Sequence, residues 1–123
     1  MDRTILFVGI GGFIGSVLRY LVSLLFARLD IANFPLATLS VNILGCFLIG
    51  LVLGLTERGS FTAGEVRSFV VIGIICGFTT FSAFSYETIR LLQEGAFGPA
   101  AGNIFLNVAL GLGATWLGLL LSK

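Results

Sequence analysis

The sequence has 123 residues, 57% of them hydrophobic, and a mean hydropathy of +1.09. A soluble domain of this size needs more polar surface than such a composition supplies, so the sequence predicts a protein embedded in a lipid bilayer. Seven basic and six acidic residues nearly balance, which argues against a nucleic-acid-binding surface. The chain has no histidine, and its two cysteines lack CxxC spacing, which argues against zinc sites and a disulfide framework.

Four apolar segments approach or reach the length of about 20 residues that a membrane helix needs. The sequence therefore predicts an all-α membrane protein in which residues 1–123 form one four-helix transmembrane domain. The predicted spans are about 4–26, 38–55, 67–93 and 100–121.

Glycines recur at helical spacing in the first two spans. Gly11 and Gly15 are four residues apart in the first span, and Gly50 and Gly54 repeat this spacing in the second. Small residues spaced in this way let two helix backbones approach closely in a membrane. We therefore expect both pairs to lie at helix contacts.

Charged and polar side chains also occur within the predicted spans. Arg19 either faces protein, water or a partner group, or extends to the interface about two turns away. Thr38 and Asn42 share a face of the second span because they are four residues apart. An interhelical hydrogen bond is one use for such a pair, and the lining of a polar passage is another.

The third span contains the stretch GFTTFSAFS at residues 77–85, which places a glycine and several hydroxyls in the middle of an apolar segment. Glycine weakens a helix by about 1 kcal/mol relative to alanine, and the Thr79 and Thr80 hydroxyls can bond to the backbone. The sequence therefore predicts that this span is broken at its centre. Unpaired backbone groups are costly in hydrocarbon, so such a break is buried in protein, lines a wet cavity or holds an ion.

Phe81 and Phe84 are three residues apart, so their rings face one side if the helix resumes at Thr80. Aromatic ring edges are positively polarised and can replace part of an anion's hydration, although core packing is the alternative for this pair. Glu87 lies one turn beyond Phe84 and either pairs with Arg19 or Arg90 or marks the polar end of the span.

The fourth span carries Asn103 and Asn107 at the same four-residue spacing, with Gly111 one turn further. A row of donors along a helix favours the lining of a narrow polar passage. For Asn103, a helix cap is the alternative.

Three motifs, one in each of the first three spans, resemble those of the small bacterial fluoride channels: GSVLRY at 15–20, TLSVNILG at 38–45 and GFTTFSAFS at 77–85. The resemblance covers the whole chain. It implies an antiparallel, dual-topology homodimer of four-helix subunits in the bacterial inner (plasma) membrane, with no enzymatic activity. It also implies two pores that export fluoride passively and electrogenically, and so protect the cell from fluoride.

The resemblance implies roles for individual residues. The backbone carbonyls of Cys76 and Thr79, with those of a second subunit, would hold a structural Na⁺ at the dimer interface. Arg19 matches the arginine of the family's first helix. The residues expected at the pore and its fluoride ions are Phe81, Phe84, Asn42, Thr38, Ser82, Thr80, Asn103 and Asn107.

The chain departs from the family's pattern in the fourth helix and at Cys76. Many relatives begin the polar track of the fourth helix with a tyrosine followed by serines, where this chain has Asn103, Asn107 and Gly111. Cys76 stands where glycine is common, which is tolerable if only its backbone carbonyl binds the ion.

A small proton-coupled multidrug-type exporter is the alternative function. It would need an intramembrane carboxylate, for which Glu87 is the candidate. A purely structural subunit would explain the glycines but neither the break nor the asparagines. Fluoride itself follows from the resemblance alone.

Basic residues flank the spans in similar numbers on both sides of the membrane. Because lysine and arginine counts in short loops set orientation, so small a difference predicts dual topology. The residues on one side are Arg3, Arg58, Arg67 and Lys123, and those on the other are Arg28 and Arg90.

Overall fold

The structure, a computed structural model, describes residues 3–29, 34–59 and 64–123. Helices make up almost all of these ranges. In chain order they are α1 (Thr4–Leu29), α2 (Leu36–Glu57), α3 (Gly64–Arg67), a π-helix (Ser68–Ile75), α4 (Cys76–Phe78), α5 (Phe81–Gln93) and α6 (Phe97–Leu121).

Four helical stretches are long and apolar enough to cross a membrane, and the third of them, Gly64–Gln93, is interrupted. Its first half consists of α3, the π-helix and α4, and its second half is α5. The prediction of an all-α fold with four spans and a broken third span is confirmed, and the protein is a multi-pass membrane protein.

Helix α1 packs against the first half of the third span through its glycines. A Cβ atom added at Gly11 would lie 2.5 Å from the Phe69 carbonyl oxygen and 2.9 Å from Gly73 Cα. One added at Gly15 would collide with the Ile74 carbonyl oxygen. The expected helix contact at this glycine pair is therefore confirmed, and it joins backbone to backbone.

Helix α2 packs most extensively against α6. Gly50 faces the Thr115 carbonyl and Gly54 faces the Ser122 hydroxyl, each too closely for a Cβ atom to fit. Gly118 of α6 makes the reciprocal contact with the α2 backbone. The second predicted glycine contact is thus also confirmed.

The π-helix lies directly before the break. Its sequence, SFVVIGII, is rich in β-branched residues, which are restricted in a regular α-helix. Stretches of π-helix are rare and often occur near functional sites, because the wider turn changes which residues face a neighbouring helix. Here the wide turn places Gly73 against α1 and leads into the irregular backbone that follows.

Candidate functional site

The third span is broken at two extended residues between α4 and α5. Thr79 has φ −87° and ψ 160°, and Thr80 has φ −153° and ψ 122°. The Thr79 N–H still donates to the Ile75 carbonyl at 3.0 Å, so the first half ends as a regular helix would. The second half starts with Thr80 as N-cap, whose Oγ1 accepts from the Ala83 N–H at 3.1 Å.

The break removes the helical donors of the carbonyls next to it, and those of Cys76 and Thr79 are among them. In an α-helix the carbonyl of each residue accepts the N–H four residues later, so Cys76 would be paired with Thr80, and Thr79 with Ala83. The Thr80 N–H instead donates to Asn42 Oδ1 at 2.9 Å, and the Ala83 N–H donates to the Thr80 side chain. Cys76 and Thr79, for which the resemblance implies a sodium-binding role, are therefore among the carbonyls that lose their usual donors.

Asn42 of α2 binds both backbone groups of Thr80. Its Oδ1 accepts the Thr80 N–H at 2.9 Å, and its Nδ2 donates to the Thr80 carbonyl at 3.1 Å. The carboxamide thus replaces the two hydrogen bonds that an extended residue would otherwise make with a neighbouring strand. Because unpaired backbone groups are costly in a membrane, this side chain makes the break tolerable.

A continuous chain of side-chain hydrogen bonds runs from Asn42 through α6 to α5, and we call its four members the amide ladder. Asn42 Nδ2 donates to Asn107 Oδ1 at 3.1 Å. Asn107 Nδ2 donates to the carbonyl and to Oδ1 of Asn103, at 2.9 and 3.0 Å. Asn103 Nδ2 donates to Thr88 Oγ1 at 2.9 Å, and that hydroxyl donates to the Phe84 carbonyl at 2.8 Å.

Thr88 was not among the residues expected from the sequence. A threonine about two turns along α5 carries no distinguishing pattern, and its importance depends on Asn103 lying opposite it in the fold. The helix-cap alternative for Asn103 is wrong, because α6 begins at Phe97 and its N-cap position is Ala96.

A cleft of about 320 Å³ opens beside the break, between α2, the third span and α6. The rings of Phe81 and Phe84 line it with their centroids 5.5 Å apart and their planes tilted by 50°. Phe81 is 78% exposed, so its ring is available to a ligand or a partner chain. The cleft is lined by Asn42, Gly45, Cys46, Ile49, Ile75, Cys76, Thr79, Thr80, Phe81, Phe84, Asn107 and Val108.

The cleft brings together five of the eight residues expected at the pore: Phe81, Phe84, Asn42, Thr80 and Asn107. The other three lie elsewhere. Ser82 is exposed, with its Oγ 3.2 Å from Thr80 Oγ1, and Asn103 is buried within the amide ladder. Thr38 lines a different cavity.

This second cavity, of about 300 Å³, lies between α1, α2 and α5. Arg19, Thr38 and Glu87 line it together with Thr80, which also lines the cleft. The break is therefore bordered by an apolar space on one side and a polar space on the other. The half-buried Arg19 faces this polar space from α1.

Glu87 pairs with neither arginine in the described part of the chain. Arg90 instead forms an ion pair with Glu94 at 2.9 Å, and Arg19 shares a cavity with Glu87 without reaching ion-pair distance. Glu87 Oε1 is buried and has no hydrogen-bond partner among the described residues. A carboxylate oxygen without a partner at this place is able to accept a hydrogen bond from water or a passing group.

Known proteins resemble the chain over nearly its full length. Residues 6–119 match the family model described as "CrcB-like protein, Camphor Resistance (CrcB)". A protein of Azobacteroides pseudotrichonymphae is 43% identical over 123 residues, which are 100% of this chain and 98% of the relative. Its counterpart in Flavobacterium psychrophilum is 45% identical over 121 residues, covering 98% of each chain.

An Agrobacterium fabrum protein is also 45% identical, over 94% of this chain and 93% of its own length. All three relatives carry the name "Fluoride-specific ion channel FluC". This chain belongs to the CrcB family.

Proposed function

We propose that this protein is a fluoride channel of the bacterial inner membrane, which lets fluoride leave the cell passively and electrogenically. The observation that carries the proposal is the cleft in which Phe81 and Phe84 lie beside an opened membrane helix. The names of the full-length relatives specify fluoride, which no residue of the cleft specifies by itself.

The proposed assembly is an antiparallel homodimer with a structural Na⁺ at its centre. Support comes from the carbonyls of Cys76 and Thr79, whose helical donors are diverted to side chains. Carbonyls of an unwound membrane helix and the C-terminal end of a half-helix are typical Na⁺ ligands. In this proposal two such carbonyls from each subunit hold the ion, and the exposed Cys76 lies at the subunit interface.

The proposed conduction path passes Thr80, where the cleft and the polar cavity meet. Removing water from a small anion is costly, so the path must replace hydration in small steps. In the cleft, the positively polarised edges of Phe81 and Phe84 supply part of that replacement. On the polar side, Arg19 supplies a positive charge. A dimer contains two equivalent copies of this path.

Dual topology is part of the same proposal. Arg3 contacts Glu65 at 3.4 Å and Arg58 donates to the Ser122 carbonyl, so residues at these helix ends share one side of the protein. Arg28 and Arg90 lie at the opposite helix ends. With both sides basic, neither insertion direction is strongly preferred.

Fluoride efflux from liposomes tests the proposal. We expect wild-type protein to release fluoride in a passive, electrogenic manner, and Phe81→Ile and Phe84→Ile to abolish most of this flux while the protein stays folded. Phe105→Ile is the matched control, because Phe105 is 68% exposed on α6 and does not line the cleft. If the Phe pair only packed the core, its substitution would reduce stability by about 1–3 kcal/mol and leave flux unchanged.

The same assay separates the alternative function. Flux that follows a proton gradient would indicate a proton-coupled exporter and would reject the channel. For the assembly, reporters on the C-terminus that give signal from one side of the membrane only would reject dual topology. A well-resolved experimental structure without an ion between the two breaks would reject the Na⁺ site.

A further inference from the structure

The amide ladder extends beyond the cleft. Asn103 and Thr88 belong to the ladder but do not line the cleft, and their exposed fractions are 0% and 6%. An ion in the cleft therefore has no access to either side chain. Any effect of these two residues on conduction has to pass through the residues to which they are bonded.

The amide hydrogens of the inner ladder are all engaged. Each carboxamide nitrogen carries two hydrogens. Asn42 Nδ2 donates to Thr80 and to Asn107, and Asn107 Nδ2 donates twice to Asn103. An anion that reaches the cleft finds no free amide hydrogen on Asn42 or Asn107. This bonding pattern fits side chains that hold the backbone and do not bind the ion.

The two ends of the ladder are bonded to the backbone of the proposed conduction path. At one end Asn42 binds the N–H and carbonyl of Thr80, which lines the cleft. At the other end the Thr88 hydroxyl donates to the carbonyl of Phe84, whose ring lines the cleft. Because that hydroxyl has one hydrogen, it accepts the Asn103 N–H with a lone pair.

We propose that Thr88 and Asn103 are positioning residues for conduction, which act through Asn107 and Asn42 to fix the break relative to the Phe84 ring. This inference rests on the proposed function. Bonds in such a chain strengthen one another, so loss of the outermost hydroxyl weakens the hold on Thr80 as well.

Three threonine variants test the proposal by fluoride efflux per folded dimer. Thr88→Val keeps the side-chain shape, removes the hydroxyl and leaves the buried Asn103 N–H unpaired, so we expect an approximately tenfold loss of flux. Thr88→Ser keeps the hydroxyl and should restore most of the flux. Thr56→Val is the matched control, because Thr56 makes the same bond to a carbonyl four residues earlier, 2.9 Å away, and lies outside the ladder.

Asparagine-selective ¹⁵N labelling provides a second readout, since the chain contains only four asparagines. Thr88→Val should shift the side-chain amide signals of Asn103, Asn107 and Asn42, whereas Thr56→Val should leave them in place. In wild-type protein, adding fluoride should leave the Asn103 signal unchanged, because Asn103 does not line the cleft. This titration needs no variant, so it tests whether Asn103 is an ion ligand even if Thr88→Val fails to fold.

A folded Thr88→Val dimer with wild-type flux would overturn the proposal. So would a large fluoride-dependent shift of the Asn103 amide in wild-type protein, because Asn103 does not line the cleft and such a shift would make it an ion ligand. If wild-type protein carries no fluoride at all, the proposed function fails. Whether Thr88→Val moves the Asn42 signal then still decides whether Thr88 is coupled to the break through the amide ladder.

Discussion

The break in the third span is held from two sides, and the two sides use different chemistry. Toward α1, Gly11 and Gly15 bring one helix backbone against another with no side chain between them. Toward α2 and α6, the amide ladder joins the break to its neighbours through side-chain hydrogen bonds. The glycine contact requires that no side-chain atoms lie between the helices, whereas the amide ladder requires specific donor and acceptor atoms.

The two contacts therefore control different properties. In a membrane, where lipid is as apolar as the side chains, close backbone packing is one source of helix association and polar bonds are another. The glycine contact sets where the first half of the third span lies. The amide ladder fixes the orientation of the peptide groups at the break. Substitutions on the α1 side should therefore affect assembly, and substitutions in the ladder should affect conduction.

The largest effect is expected for Gly15→Ala. Its new methyl group would collide with the Ile74 carbonyl oxygen, which belongs to the backbone and cannot rotate away. We expect a loss of about 3 kcal/mol or more, which is severe for overpacking by one methyl group. Size-exclusion chromatography should show little folded dimer. Gly9→Ala is the control, because no atom lies within 4 Å of its added methyl group, and equal behaviour of the two variants would contradict the contact.

An intermediate effect is expected for Asn42→Ala. Both backbone groups of Thr80 then lose their partner, and each unpaired buried group costs about 1–3 kcal/mol. Because the α1 contact is untouched, a part of the protein should still assemble but carry almost no fluoride in the liposome assay. Ser40→Ala on the same helix is the control. Wild-type flux from folded Asn42→Ala dimers would show that the break does not need this side chain.

The smallest effects are expected where α2 meets Thr79. A Cβ atom at Gly45 would collide with the Thr79 methyl group, so Gly45→Ala should cost about 1–3 kcal/mol. Thr79→Ser removes that methyl group and leaves Thr79 Cβ as the nearest of its atoms, at 3.5 Å. The double variant should therefore regain most of the lost thermal stability.

Thr79→Ser alone is the control for this pair. It removes one methyl group, worth about 0.8 kcal/mol, and keeps the carbonyl. It should retain the dimer and the same increase in melting temperature on adding Na⁺. Failure of the serine to rescue Gly45→Ala would contradict the close approach of the Thr79 methyl group to Gly45.

Much of this architecture could be predicted because its signals are local. Four apolar segments are long enough to identify as spans, and a glycine followed by hydroxyls marks the break at Thr79 and Thr80. The three-residue spacing of Phe81 and Phe84 correctly predicts adjacent rings.

Other features depend on contacts between distant segments. The π-helix has no single-residue signal, and it is stabilised in part by close packing against α1. The spacing of Asn103 and Asn107 predicts a polar face on α6, but only the fold shows that their hydrogens are bound within the protein. The ion pair of Arg90 with Glu94, by contrast, is a local one between residues four apart at the end of α5.

The bond between Asn42 and the break also has a consequence for the order of synthesis. Helices leave the ribosome in chain order, so α2 enters the membrane before the third span does. When Thr80 arrives, the side chain that binds both of its backbone groups is already there. The outer members of the ladder follow only with α5 and α6. The nascent chain thus supplies a partner for its least helical residue before the fold is complete.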